Sequence, residues 1–309
     1  MIYTVTLNPA MDKTATAPGF ALDKVTRITE LRQDPGGKGI NVSKVIAKLG
    51  GTSKALAILG GNTGNAIQAM LAEQGIDVVT FPVDGETRTN LKVIDPVGDT
   101  HTDINEPGPA VSAEFLADML AQLVAMIEPG DIVVFSGSAP AGCGDDVYKV
   151  WGEACKAAGA KVFLDADGAK LAAGLEAVPY LTKPNEIELG AMLGRELDTD
   201  EKVAEAAREL SAKGIEFVVV SMGGAGALFA KDGRVVRGIS PKVPVGSTVG
   251  AGDSVVAALA YAEELGLSLE DTVRLSMATG AANVMESGTQ AAERSVVDSL
   301  IDKVQVVEL

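Results

Sequence analysis

Strand-like and helix-like segments alternate along most of the chain, and nothing else in the sequence limits the choice of fold as tightly. Residues 2–7 are alternating and β-branched, a strand that ends at Asn8-Pro9. From Gly39 onward, Ile40, Val42, Val45, Ile46 and Leu49 recur at a period of about 3.6, and Gly50-Gly51 closes this helix. Residues 54–59 read as a buried strand, Gly60 to Gly64 as a loop, the residues up to about Gln74 as a helix, and 78–81 as a strand. Further on, the pattern predicts helices over 112–127, 145–158 and 199–213, with strands over 131–136 and 161–165. Strands over 216–221, 226–231 and 234–238 follow, then helices near 251–265, 269–286 and 295–303. This order predicts a three-layer α/β/α core around a predominantly parallel sheet.

Two stretches break the rhythm. Residues 13–34 contain TATA and VTRITEL, which read as short strands. Residues 88–104 read as a hairpin about Pro96-Val97-Gly98-Asp99. Neither has an intervening helix, so together they predict a small sheet beside the main one, either a lid or an edge extension. No long repeat, low-complexity run or Pro/Ser-rich linker divides the chain, so residues 1–309 are expected to form one domain with a lid.

Charge narrows the function. Forty-two acidic against 26 basic residues leave a net charge of −16, which disfavours nucleic acid or an anionic membrane as a partner. An anionic substrate then requires a local basic spot. His101 is the only histidine, so a histidine-based metal cage is excluded. Cys143 and Cys155 lack metal-ligand spacing and suit a reducing compartment. The N-terminus has no basic segment followed by an apolar run, and no apolar stretch reaches the roughly 18 residues of a membrane span. A cytoplasmic protein is expected.

Five segments can carry chemistry. Thr248-Val249-Gly250-Ala251-Gly252-Asp253 feeds directly into an apolar helix. Such a turn leaves backbone N–H groups unpaired where the helix dipole favours negative charge. Asp253 can cap that helix or act as a general base beside an anion hole. Pro35-Gly36-Gly37-Lys38-Gly39-Ile40-Asn41 places a lysine among glycines just before a helix, a site for close backbone approach to a polar ligand or a plain tight turn. Asp12, just past the first strand, lies where a parallel sheet opens its ligand crevice. Asn185 and Glu188 are three apart, placed either to cap a helix together or to hold a hydrated Mg²⁺. Ser221-Met222-Gly223-Gly224-Ala225-Gly226 is a hairpin turn or a loop passing under nucleotide phosphates. No segment matches G-x-x-x-x-G-K-[ST], so the P-loop class is unsupported. Gly60 to Gly64 lacks the dinucleotide spacing and reads as a structural turn.

Taken together, TLNPAMD, GGKGIN, TRTNLKV, SGSAP, KPNEIEL, SMGGAGA and STVGAGD resemble the ribokinase-like (PfkB) carbohydrate kinases, in that family's order and across essentially the whole chain. Within the family, DINEPGP and RTNLKV look most like the 1-phosphofructokinases of the phosphosugar kinase branch. The resemblance implies Mg-ATP as phosphoryl donor and a ketohexose phosphate as acceptor. Fructose 1-phosphate leads, with tagatose 6-phosphate or fructose 6-phosphate as the runner-up. It implies Asp253 as general base, with the amides of Gly250, Ala251 and Gly252 as the anion hole. It implies Asp12, Gly37, Lys38 and Asn41 on the sugar hydroxyls. Arg88, with Lys24 or Arg27, would hold the substrate phosphate, and Asn105, Ser136 and Ser138 would help line that site. Lys183, Asn185, Ser221, Gly223, Gly224, Gly226 and Thr248 would meet the ATP phosphates, and the adenine would rest near Met277 and Ala281. Asn185 and Glu188 would position Mg²⁺ through water. Lids in this family often pair, which implies a homodimer. The competing readings are a non-catalytic sugar-phosphate sensor on the same fold and, disfavoured by the missing fingerprint, an NAD-dependent oxidoreductase.

Overall fold

The computed structural model describes Met1 to Leu309. The chain starts in the middle of its main sheet. β1 (Ile2–Thr6) is wholly buried, as a continuous β-branched run requires. β2 (Ala10–Thr16) and β3 (Glu30–Gly36) leave the main sheet, and α1 (Lys38–Lys48) returns to it. β4 (Ser53–Leu59), α2 (Gly61–Glu73) and β5 (Asp77–Pro82) complete one wing. β6 (Arg88–Asp95) and β7 (Thr100–Asn105) form the second excursion. α3 (Ala113–Met126), β8 (Ile132–Ser136), α4 (Val147–Ala157), β9 (Lys161–Asp165), α5 (Gly168–Glu176), β10 (Leu181–Thr182) and α6 (Glu186–Leu193) build the other wing. α7 (Asp200–Ala212), β11 (Phe217–Ser221), β12 (Ala227–Lys231), β13 (Arg234–Ile239), α8 (Ala251–Leu265), α9 (Leu269–Asn283), α10 (Arg294–Ile301) and β14 (Gln305–Glu308) finish the chain.

The main sheet has ten strands in the order β14-β13-β12-β11-β10-β9-β8-β1-β4-β5. From β11 to β5 every pairing is parallel; β12, β13 and β14 add an antiparallel edge. The chain winds outward in both directions from β1 and β8. That pair is the topological switch point, where a crevice opens at the strand C-termini.

Strand alternation sorts the side chains into two cores. Ile132 and Val134 pack with α1, α8, α9 and α10, whereas Val133 and Phe135 pack with α3 and α4. These helices cover both faces of the sheet and give the expected three layers.

β2, β3, β6 and β7 form the separate small sheet, in the order β3-β2-β6-β7. Its central β2–β6 pairing is parallel, and its two hairpins are antiparallel. The turn between β6 and β7 falls at 96–99, as read from the sequence. The first excursion differs from expectation: VTRI is not a strand, and β3 begins only at Glu30. Leu22 and Val25 are 86% and 88% exposed, so that segment has nothing apolar to pack on in this chain.

Gly60 to Gly64 is also not a loop. α2 starts at Gly61, because the Glu86 carboxylate accepts from the Asn62 and Thr63 amides at 3.1 and 3.0 Å. Those bonds satisfy first-turn donors that the sequence leaves without a visible cap. α5, the two-residue β10 and β14 complete the sheet and its cover beyond the elements read from sequence.

Candidate active site

The switch point holds a cavity of about 550 Å³ lined by 28 residues, of which one is hydrophobic. β1 contributes Thr6, β8 contributes Ser136, β9 contributes Asp165 and β11 contributes Ser221, all at strand C-termini. The inward face of the small sheet closes the cavity with Asp12, Thr14, Asn90, Lys92, Asp103 and Asn105. Their spacing by two along each strand puts them on one face. β2 register sets Asp12 beside Asn90 and Thr14 beside Lys92.

The N-terminus of α8 forms the floor. Gly250 caps it in the left-handed region, at φ 80°. Glycine reaches that conformation without the steric cost an L side chain incurs. Ser254 already bonds back to the Gly250 carbonyl. Ala251 donates weakly to the Thr248 carbonyl at 3.4 Å, while the Gly250, Gly252 and Asp253 amides carry no hydrogen bond within the chain. Gly250 and Gly252 line the cavity, so unpaired donors and the helix dipole meet there.

Asp253 is buried, and Asn41 Nδ2 donates to its Oδ2 at 2.8 Å. Burial, then the charge of Asp165, pushes its pKa up to about 6, against the pull of Lys38, Asn41 and Lys183. It is therefore ionised at neutral pH yet basic enough to take a proton.

Asp165, which sequence reasoning overlooked, organises the cations. It lies 3.1 Å from Lys183 Nζ and 3.8 Å from Lys38 Nζ, and Ser136 Oγ donates to it at 3.2 Å. Burial alone raises its pKa, but Lys183, Lys38 and these hydrogen bonds outweigh that effect and hold it below the usual carboxylate range. Asp165 in turn is the main reason the Lys38 pKa is raised. The signal was available: Asp165 ends a parallel strand, the same position that marked Asp12.

On the opposite wall, Arg88 Nη2 donates to the Asn8 carbonyl at 2.9 Å and reaches Ser138 Oγ at 3.5 Å. Arg88 thus sits on a fixed platform at the cavity rim. Asp12 accepts from Asn90 Nδ2 at 3.0 Å, and burial raises its pKa. Gly36 is a glycine because a Cβ there would overlap the Asp12 carboxylate. Four buried polar atoms on this lining, Thr6 Oγ1, Asn41 Oδ1, Asn90 Oδ1 and Thr289 Oγ1, have no partner in the chain. Buried polar atoms are rarely left so.

Asp12, Gly37, Lys38, Asn41, Arg88, Asn105, Ser136, Ser138, Lys183, Asn185, Glu188, Ser221, Gly250, Gly252 and Asp253 all line this one cavity. Ala251, Thr248, Gly223, Gly224 and Gly226 adjoin it in sequence but do not line it. Lys24 and Arg27 are not brought in. They sit exposed on the segment between β2 and β3. Met277 and Ala281 lie in the apolar core between α9 and the sheet, with 3% and 5% exposure, rather than on the cavity wall.

Asn185 and Glu188 close a reciprocal capping box: Glu188 N donates to Asn185 Oδ1 at 2.7 Å, and Asn185 N to Glu188 Oε2 at 2.9 Å. The plainer role is therefore realised for both. No three His, Cys, Asp or Glu side chains are clustered to hold a metal ion directly. Glu188 Oε1 remains outside the box on a residue that lines the cavity, which fits a magnesium ion that keeps most of its water.

Comparison with known proteins agrees with this geometry. Residues 5–295 match the pfkB family carbohydrate kinases. The 1-phosphofructokinase of Rhodobacter capsulatus is 42% identical over 278 residues, 90% of this chain and 88% of that protein. The 1-phosphofructokinase of Bacillus subtilis is 39% identical over 311 residues and matches end to end, 100% of both chains. The crystal structure of Escherichia coli phosphofructokinase-2 in complex with fructose-6-phosphate superimposes with a TM-score of 0.91 at 32% identity, covering 98% of each chain. The chain belongs to the pfkB family of carbohydrate kinases.

Proposed function

We propose that the chain transfers the γ-phosphoryl group of ATP to the 6-hydroxyl of fructose 1-phosphate, giving fructose 1,6-bisphosphate and ADP. One observation carries the reading: a buried, hydrogen-bonded Asp253 stands beside unpaired helix amides in a polar cavity, in a chain that matches the Bacillus subtilis 1-phosphofructokinase end to end. The Asp253 carboxylate takes the proton of the attacking hydroxyl as the new O–P bond forms and the bond to the ADP oxygen breaks. The amides of Gly250 to Gly252 stabilise the equatorial oxygens of the transferring group. Asp12, Asn41 and Asn90 hold sugar hydroxyls, and Arg88 with Ser138 holds the phosphate already present. Lys38 and Lys183 face the polyphosphate, and Asp165 holds both ammonium groups in place. Glu188 would hold a hydrated Mg²⁺, which would supply charge neutralisation to the phosphates. A −16 chain thus gathers lysine and arginine at one point to receive three anionic groups.

Residues 1–309 act as one catalytic unit, and the small sheet acts as a lid that excludes water. Its outer face exposes Leu31 and Ile104, at 50% and 53%, which suits pairing with the lid of a second copy. Both cysteines are unpaired, in keeping with a cytoplasmic setting. No helix is long and apolar enough to cross a membrane.

The deciding test is coupled ADP release with Mg-ATP, comparing fructose 1-phosphate, fructose 6-phosphate and tagatose 6-phosphate by kcat/KM. About a tenfold preference for fructose 1-phosphate supports the reading. A preferred 6-phosphate reassigns the substrate, and no turnover with any of them returns the sensor reading. Arg88→Ala should raise KM for the sugar phosphate far more than for ATP. Equal rises would make Arg88 structural.

A further inference from the structure

α1 carries Lys38, Asn41 and Lys44 at intervals of three, so they share one side of the helix. The first faces Asp165 and the second holds Asp253. Lys44 has no place in the cavity and no carboxylate partner within salt-bridge distance, yet only 6% of it is exposed. Its ammonium donates to two main-chain carbonyls, Pro35 at 3.1 Å and Thr289 at 2.8 Å. Pro35 belongs to β3 of the small sheet, immediately before the Gly36-Gly37 turn. Thr289 belongs to the loop after α9 and lines the cavity.

A second strap runs alongside. Arg32, also on β3, donates from Nη2 to the Ser287 carbonyl at 2.6 Å and from Nε to Asp34 at 2.7 Å. Between these anchors, Gly288 has φ +66°, and any side chain there would overlap the Arg32 guanidinium. The same loop supports the segment leading to the anion hole. The Gly246 and Ser247 amides both donate to the Val284 carbonyl, at 2.7 and 3.1 Å. A Cβ at Gly246 would press on the Glu286 and Met285 carbonyls at 2.8 and 2.9 Å. Contacts therefore run unbroken from β3 through 284–289 to the 246–250 turn.

We infer that Lys44, with Arg32, is a positioning residue for phosphoryl transfer: its buried ammonium locks the 284–289 loop to the base of the small sheet and so sets the Gly250–Gly252 amides in place. A desolvated charge spent on two carbonyls is costly unless the geometry it fixes matters. Substrate-induced movement of the small sheet is then felt at the anion hole through a rigid connection. The inference rests on the anion-hole reading of α8.

The test is steady-state kinetics and melting on Lys44→Met, Lys44→Arg, Arg32→Ala and the Arg32→Ala/Lys44→Met double variant, with fructose 1-phosphate and Mg-ATP. Lys44→Met should lower kcat about tenfold or more while both KM values stay within about threefold. Lys44→Arg, which keeps charge and donors, should recover most of that loss. Arg32→Ala should lower kcat less, and the double variant should be little worse than Lys44→Met, because both cut one connection. Unchanged kcat in Lys44→Met, a rise confined to the sugar-phosphate KM, no recovery with arginine, or multiplying losses in the double variant would each overturn the inference. If Lys44→Met does not fold, Arg32→Ala decides: a kcat loss at constant KM supports it, and unchanged kcat sinks it. Failure of the underlying reading looks different, since turnover would then be indifferent to Gly250→Ala.

Discussion

α2 and α8 begin alike and end up with opposite tasks. Each is preceded by glycine, Gly60 and Gly250, and neither has a side-chain cap at that position. At α2 a carboxylate from within the chain, Glu86, fills the anion position against the Asn62 and Thr63 amides. At α8 the first-turn carboxylate, Asp253, is turned to Asn41 instead, and the amides open onto the cavity. A glycine-rich helix start is thus only half of an anion site. The other half is whether the fold has already supplied the anion, and for α2 it has.

The largest effect that sharpens this contrast is Asp253→Asn. It should cut kcat by about 10²–10⁴-fold while leaving ATP binding largely intact, measured by turnover and nucleotide titration. Near-normal turnover would break the base assignment. Gly250→Ala comes next. A left-handed alanine costs about 1–2 kcal/mol and displaces the amides, so kcat should fall roughly ten- to a hundredfold.

pH supplies the third. With the Asp253 pKa at about 6, kcat/KM should fall as pH drops through that value. The stability effect has the opposite sign. Raised from an ordinary 3.8, the buried carboxylate disfavours the folded state above about pH 6, and the penalty vanishes below about pH 4. Asp253→Asn should therefore raise Tm at pH 8 and lose that advantage in acid; a variant less stable at pH 8 would refute the charge-burial argument. The smallest effect is expected at α2. Glu86→Gln should lower Tm slightly and leave kcat alone, since its carboxylate serves only a helix start. A large kcat loss there would erase the distinction between the two helices.

Much of this was legible in the sequence. Alternation gave the layers because strands and helices bury apolar residues at different periods, and small-sheet strands declared themselves by lacking a helix between them. Fifteen of the residues named there line the cavity: the glycine-rich turns, Asp12 and the Asn185–Glu188 pair stood out by their pattern, whereas Arg88, Asn105, Ser136 and Ser138 entered through the family resemblance. What escaped depended on contacts distant in sequence. Glu86 reaches back across 23 and 24 residues to start α2, and no local pattern announces it. Two-residue β10 exists only through its neighbours β9 and β11. The family resemblance put Lys24 or Arg27 on the substrate phosphate, but in this chain both stand exposed on an excursion without apolar anchorage. Asp165 was hidden in an unremarked VFLDADG, although its strand-end position pointed to it.

The bond from Asn41 to Asp253 has a stereochemical consequence. The amide engages one lone pair of Oδ2, which leaves Oδ1 as the freer oxygen to receive a proton in the proposed reaction. That bond also fixes the plane of the carboxylate, so the direction in which the Oδ1 lone pairs point is set, and an alcohol would approach along it. Regiochemistry among the several hydroxyls of a sugar would then be decided by which oxygen can reach that vector while its neighbours satisfy Asn90 and Asp12. An asparagine that performs no bond-making of its own would be what makes the reaction choose one carbon over another.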